Sequence, residues 1–377
     1  MKFLIPSKVL YSLTSSVSKV INSKNALLIL NSFRFILDGN TLSITGSDVE
    51  NALTARPMVA EPEGSGSFCL DARTLVDLLK QFPDNVLKFE VSEDSPEVVI
   101  THPNGKYEMP SQPGDQYPEY RVDEAETDES FRMEIKAADL QQGLDNTIFA
   151  VATEDFRPQM TGVLLDITPE QMTFVATDTR KLVRFTNSKI KGSATGKYIL
   201  PVKPASIIKS LFGADDTVIV TLCSKFAVFE SETFTFHCRF IQGMYPDYNR
   251  VIPRDNPYTV RVDRMRFLNS VRRVGVFVDP GFGLEKFKLA DDVITIKSCD
   301  PNMSRLGEEK IDCEYSGPEM VIGFSAPFLV EICNVINSQD LVICLSDPSR
   351  PGVFMPSSND DGTDLVAILM PMNVRDF

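Results

Sequence analysis

Two stretches of this sequence have the outline of chemistry. Gly192-Ser-Ala-Thr-Gly-Lys197 looks like a loop whose backbone N–H groups could cradle phosphates, but three residues separate the glycines where four are needed. Tyr198 follows where a Ser or Thr would hold magnesium, so the stretch reads as a turn. Asn359-Asp-Asp-Gly-Thr-Asp364 has the composition of a calcium loop without its alternate spacing or terminal Glu, and reads as a hairpin turn. With only two histidines, His102 and His237, metal sites and Ser or Cys hydrolase triads are short of parts. The seven cysteines (Cys69, Cys223, Cys238, Cys299, Cys313, Cys333, Cys344) are scattered, with no C-x-x-C pair, and are expected as small buried hydrophobes. Among 52 acidic residues some carboxylates must meet by chance, and none is marked as an acid/base pair. No catalytic constellation, metal site or cofactor is expected.

What the chain does contain is repetition. Tyr245-Pro-Asp-Tyr-Asn-Arg-Val-Ile-Pro253 has a near copy in Tyr117-Pro-Glu-Tyr-Arg-Val122 and a distant echo in Leu369-Met-Pro-Met-Asn-Val374. Strands ending on an Asp-bearing turn recur as Leu42–Asp48, Met172–Asp178 and Ile294–Asp300, at intervals of about 130 and 120 residues. Strands leading into a helix recur at the same intervals from Phe68, Tyr198 and Met320. Each unit has two amphipathic helices: Val9, Leu10, Leu13, Val17, Val20 and Ile21 mark the first, and Leu75, Leu78, Leu79 and Phe82 the second, behind the N-cap residue Asp71. Leu140, Leu144 and Ile148, then Ile207, Ile208 and Leu211, then Phe267, Leu268 and Val271, then Leu329, Ile332 and Ile336 continue the series. Between them lie alternating or apolar strand runs, among them 86–91, 163–167, 218–222, 226–230, 293–298, 341–345 and 365–370. A triplicated α+β domain explains all of this, with boundaries expected at 1–125, 126–253 and 254–377 and an acidic linker, Asp123–Glu129, after the first copy.

A chain of 377 residues suits two or three domains, and 43% hydrophobic with 24% charged residues is ordinary for a globular protein. The opening Met-Lys-Phe-Leu-Ile-Pro is too brief for a signal peptide and no run reaches the roughly 18 apolar residues of a membrane span, so a cytoplasmic protein is expected. The net charge of −14 is unevenly spread. Taken as 8–24, 71–83, 132–149, 197–212, 261–276 and 325–340, the helical segments carry +7 together and leave −21 for the rest. A basic helical surface on an acidic body fits helices that face a polyanion.

Over its whole length the chain resembles the bacterial replicative sliding clamps, the beta subunits of DNA polymerase III holoenzyme. The resemblance is carried by Thr45–Glu50, Val175-Ala-Thr-Asp-Thr-Arg-Lys-Leu182, Tyr245–Pro253, Tyr315–Gly323 and Met370-Pro-Met372. It implies three tandem DNA-clamp domains, each with two helices packed on antiparallel sheets, in a homodimer joined head to tail as a ring. It implies no catalysis and no cofactor. Lys24, Arg73, Lys203 and Lys209 would face double-stranded DNA, with no reading of sequence. Partners would be the replicative polymerase catalytic subunit, the clamp-loader ATPase and other repair and replication proteins carrying a clamp-binding motif. Their peptides would enter a pocket walled by Met160, Thr177, Thr179, Leu182, Pro246, Val251, Phe328, Ile368, Leu369, Met370, Pro371 and Met372, with Arg180, Lys181 and Arg250 at its edge. The ring interface would pair Tyr107 and Met109 with Val276 and Phe277 of the second copy. The sequence departs from the family pattern at Thr179 and Arg180, where Gly and His are frequent, at Pro158, where an aromatic residue is common, at Glu154, where a neutral polar residue is common, and in its longer tail. The reading from another class is a cytoplasmic enzyme with an unrecognised active site.

Overall fold

The computed structural model describes residues 1–22, 24–92, 96–119, 130–154, 156–192, 194–278, 283–300, 305–374 and 377. The acidic linker 123–129 and tail residues 375 and 376 lie outside them. Six α-helices are present among the described residues: α1 (Ser7–Ser18), α2 (Ala72–Leu79), α3 (Ala137–Asp145), α4 (Val202–Ile208), α5 (Arg264–Val274) and α6 (Ala326–Val335). Their starts follow local chemistry. Asp71 accepts the Thr74 N–H at 2.8 Å ahead of α2, and Asp263 accepts the Arg266 N–H at 2.8 Å ahead of α5. Leu75 and Leu79 turn one face of α2 inward, and Phe267, Leu268, Val271 and Val274 do the same for α5.

The helices are shorter than the apolar stripes suggest. Residues 131–136, 196–201 and 258–263 are strands that feed straight into α3, α4 and α5. The reason is a switch of period: in Phe131–Lys136 only Met133 and Ile135 are buried, the alternation of a strand, and 3.6-residue spacing begins after Lys136. At the other end of α1, helix stops at Ser18, so Lys24 lies in the loop beyond it.

The chain forms two compact units. Unit 1 comprises residues 1–138 and 206–240 and carries a 13-stranded sheet, in which Asn51–Ala55 of the first repeat pairs antiparallel with Phe234–Arg239, the last strand of the second. Phe3 stacks on Phe89 and Phe35 on Phe68 in its core.

Unit 2 comprises residues 139–205 and 241–377 and carries a nine-stranded and a four-stranded sheet. In the nine-stranded sheet Lys181–Asn187 of the second repeat pairs antiparallel with Thr363–Leu369, the last strand of the third, so that Leu182 lies opposite Ile368 and Lys181 opposite Leu369. The four-stranded sheet runs Arg305–Asp312, Val293–Asp300, Leu284–Ala290, Met320–Ser325, with Arg305–Asp312 at its edge. All seven cysteines are free; Cys69, Cys223, Cys238 and Cys333 are buried as expected, whereas Cys299 is exposed. No described helix is long and apolar enough to cross a membrane.

Candidate functional site

The expected peptide pocket falls entirely within unit 2 and is built on one hairpin turn. Strand Met172–Thr177 reverses through Asp178, Thr179 and Arg180 into Lys181–Asn187. The Thr177 hydroxyl donates to the Lys181 carbonyl at 2.8 Å and accepts the Thr179 N–H at 3.2 Å. Asp178 Oδ1 accepts the N–H groups of Arg180 and Lys181 at 2.9 and 2.8 Å. This cage holds Thr179 at φ 76°, a left-handed conformation that suits glycine and strains a β-branched residue. The departure at Thr179 therefore places a β-branched residue in a backbone conformation that glycine adopts without strain.

Beneath the turn lies a cluster of Leu164, Val175, Leu182, Ile199, Tyr245, Tyr248, Val353, Val366 and Ile368. Met160, Thr177 and Leu369 are buried as well, so five of the twelve expected wall residues are floor. Phe328, Pro371 and Met372 are half-buried, while Thr179, Arg180, Pro246, Arg250, Val251 and Met370 are exposed and form the accessible part. The tail stays beside the turn because the Met370 N–H donates to the Arg180 carbonyl at 2.8 Å and the Met372 N–H to the Gly323 carbonyl at 2.8 Å. A Cβ on Gly323 would stand 2.5 Å from Val374 Cγ2, so only glycine lets the tail lie this close.

Lys181 differs from its expected place at the rim. Its side chain is buried and its ammonium pairs with Glu331 on α6, lies 3.9 Å from Asp178 Oδ2 and sits 4.1 Å over the Phe328 ring. Its charge is thus occupied inside the protein, where it ties the turn to α6. Of the other rim cations, Arg250 pairs with Asp247 at 2.9 Å, and both side chains remain largely in water. Sequence reasoning missed Glu331, and it treated Tyr245 and Tyr248 as punctuation. Both rings are core: Tyr248 donates its hydroxyl to Asp166 at 2.9 Å, which Lys197 also reaches at 3.2 Å. Burial and the neighbouring Asp166 carboxylate push the Tyr248 hydroxyl up to about 12. The Tyr-Pro-x-Tyr spacing was visible in the sequence; the burial of both rings and the partner Asp166 were not.

The basic residues expected to face DNA are distributed as follows. Lys24 is exposed in unit 1, and Arg73 on α2 is exposed with Asp77 3.9 Å away. Lys209 in unit 1 is exposed, and Lys203 in unit 2 is half-buried on α4. Most arginines of α5 are engaged: Arg264 donates to the Cys333 and Ser338 carbonyls, Arg272 to Asn334 and Arg273 to Glu309. Of the expected interface residues, Val276 is 70% exposed and Tyr107 37% exposed, Phe277 is half-buried, and Met109 is buried within its own unit.

Three family models match in succession: the N-terminal domain of the DNA polymerase III beta subunit over residues 1–121, its central domain over 134–247 and its C-terminal domain over 249–373. The chain belongs to the DNA polymerase III beta subunit family. It is 25% identical to the beta sliding clamp of Pseudomonas aeruginosa, over 99% of this chain and 100% of that one. It is 24% identical to the beta sliding clamp of Streptococcus pneumoniae serotype 4, over 99% of each. The solved sliding clamp of Pseudomonas aeruginosa bound to griselimycin superposes with a TM-score of 0.92 at 25% identity, covering 99% of this chain and 100% of that chain. The beta subunit from Streptococcus pyogenes gives a TM-score of 0.92 at 22% identity over the same shares and supports the fold. The fold is the tandem-domain, ring-forming clamp, and the function is that of a processivity factor in DNA replication. An enzyme with an unrecognised active site is not favoured.

Proposed function

We propose that two copies of this chain close head to tail around duplex DNA and that the ring tethers polymerase by enclosure, without catalysis of its own. The observation that carries the reading is the succession of three beta-subunit domains along the chain, here assigned to 1–125, 126–253 and 254–377. A pairing rule within the chain supports the ring. The Asn51–Ala55 strand of one repeat takes the last strand of the next, and so does Lys181–Asn187. The corresponding third-repeat strand, Arg305–Asp312, is left at a sheet edge, and residues 105–110 of Gly105–Pro113 pair on one side only among the described residues. Joining these two edges between copies satisfies both. The short turn Gly275–Phe277, with Val276 and Phe277, packs on the first of these strands, and Tyr107 projects from the second.

In this reading Lys24, Arg73, Lys203 and Lys209 meet phosphates through contacts that slide. Peptides of the polymerase catalytic subunit, the clamp loader and repair proteins lie over the turn at Thr179–Arg180 and against Met370–Met372, where methionines adapt to related sequences. The site of action is the cytoplasm. Solution mass and retention on nicked circular DNA test the ring: a dimer that stays on circles and runs off after linearisation is expected. A monomer, or retention indifferent to DNA ends, overturns it. Changing Lys24, Arg73, Lys203 and Lys209 to Glu is expected to lower the salt dependence of DNA contact; an unchanged slope removes those residues from the DNA face.

A further inference from the structure

Two of the largest apolar side chains exposed on unit 2 lie just outside the proposed pocket. Phe156 and Met244 are each 91% exposed, a costly position for groups of this size unless something covers them. Their segments touch at one point. Gly243, at φ 121°, packs so closely on the Gln159 side chain that a Cβ there would stand 2.6 Å from Gln159 Nε2. Met244 follows Gly243 directly, and Phe156 precedes Gln159 by one turn of chain. On the far side of the same contact stand two residues of the pocket: Met160, adjacent to Gln159, and Pro246, which shares the outward side of its segment with Met244 because Tyr245 between them is buried in the core. The apolar rim that begins at Pro246, above the buried Met160, is thus continued outward by Phe156 and Met244.

We propose that Phe156 and Met244 form an outer docking step for the same partner peptide, taking an aromatic or branched aliphatic residue that flanks the pocket-bound motif. The occupant follows from continuity: a chain already held against Pro246 must leave the pocket over its rim, and this is the apolar side of that rim. A thioether beside a phenyl ring adapts to several side-chain shapes, as a surface serving more than one partner requires. The inference rests on the peptide reading of the pocket and adds a preference that the pocket alone does not supply.

The test uses full-length protein and two labelled peptides from the same organism's replicative polymerase catalytic subunit, one the minimal clamp-binding motif and one extended by its native flanking residues. Fluorescence anisotropy is expected to show the F156S/M244S variant binding the extended peptide about tenfold more weakly. Binding of the minimal peptide is expected to be unchanged, and F156L/M244L is expected to restore the extended peptide. Equal affinity of the extended peptide for wild type and F156S/M244S overturns the docking step. Failure of the minimal peptide to bind wild type, or indifference of its binding to M370A/M372A, overturns the pocket reading instead. If F156S/M244S alters only self-association in sedimentation, the patch is a contact between copies and the proposal falls.

Discussion

The turn at Ser47–Asn51 in unit 1 and the turn at Thr177–Lys181 in unit 2 are the same device with different consequences. In the first, the Ser47 hydroxyl donates to the Asn51 carbonyl at 2.9 Å, Val49 N–H donates to Ser47 at 3.2 Å, and Asn51 N–H donates to Asp48 at 2.8 Å. Thr177, Thr179, Lys181 and Asp178 reproduce each bond, down to a β-branched residue in the left-handed region, Val49 at φ 79° and Thr179 at φ 76°. Even the closing tyrosine is shared: Tyr117 packs on Leu30 and Cys69 as Tyr245 packs with Ile199. What differs is the company. After Phe234–Arg239 the chain leaves the first turn, and Phe240 donates its N–H to Lys225; after Thr363–Leu369 the tail stays by the second, through Met370 and Met372. Asn51 reaches only its own turn through Asp48, whereas Lys181 reaches α6 through Glu331. The repeat supplies the scaffold, and a binding surface arises where a chain end and a helix close upon it.

The largest effect should come from removing that chain end. M370A/M372A is expected to weaken the polymerase peptide roughly a hundredfold, as truncation of central anchors does. Its solution mass should not change. V49A on the first turn should leave the peptide affinity untouched. Loss of affinity in V49A, measured by the same anisotropy assay, would break the contrast by showing that the first turn binds too.

Next comes a divergence in the third copy. Phe33, Val163 and Glu285 each pair with the residue two places ahead of a helix, namely Leu70, Leu200 and Phe324. Glu285 is wholly buried, and neither carboxyl oxygen has a hydrogen-bond partner among the described residues. Burial first, and then the Glu309 charge, push its carboxyl from the ordinary 4.5 up to about 8. A carboxyl that keeps its proton longer in the folded state costs nothing below pH 4.5. It lowers stability as pH rises from there to about 8, and its effect is constant above. Glu285→Val should therefore gain about 2 kcal/mol at pH 8 and little at pH 4. Urea unfolding at the two pH values reads the difference, and equal gains would show that packing, not charge, separates the third copy from the others.

Lys181 tests the same idea within the second. Replacing it with Met removes the tie to Glu331; because that carboxylate is partly in water, the loss should be about 1.5 kcal/mol. Asn51→Ala should cost about 1 kcal/mol, one side-chain hydrogen bond inside its own turn. A Lys181 variant no less stable than wild type would show that the bond to α6 adds nothing.

Much of this was legible in the sequence, for physical reasons. The strands 86–91 and 226–230 end where their apolar patterns end, and the Asp-bearing turns at Asp48 and Asp178 were recognisable because Asp must accept the N–H groups that such a turn leaves free; the third, after Asp300, lies outside the described residues. Helix ends were less legible. An apolar stripe continues through a strand that enters a helix, and only the change of period at Lys136 marks the boundary. Least legible was the burial of Lys181. Its type suggests a rim cation, and its actual place depends on Glu331, 150 positions away in sequence, which no local pattern announces.

The smallest effect is the most direct test of the turn itself. If Val49 and Thr179 share one strained conformation, then Val49→Gly and Thr179→Gly should each raise stability. The gain is the left-handed penalty of about 1–2 kcal/mol less the extra freedom glycine gives the unfolded chain, a net of about 0.5–1 kcal/mol. The two gains should be equal and, because the turns belong to different units, additive. Thr179 also shows its side chain to the proposed peptide, so Thr179→Gly should change peptide affinity while Val49→Gly does not. Equal stability gains with unequal binding would separate what the scaffold requires of this position from what a partner does; a gain at Val49 alone would mean that the Thr179 side chain makes a stabilising contact that the strain conceals.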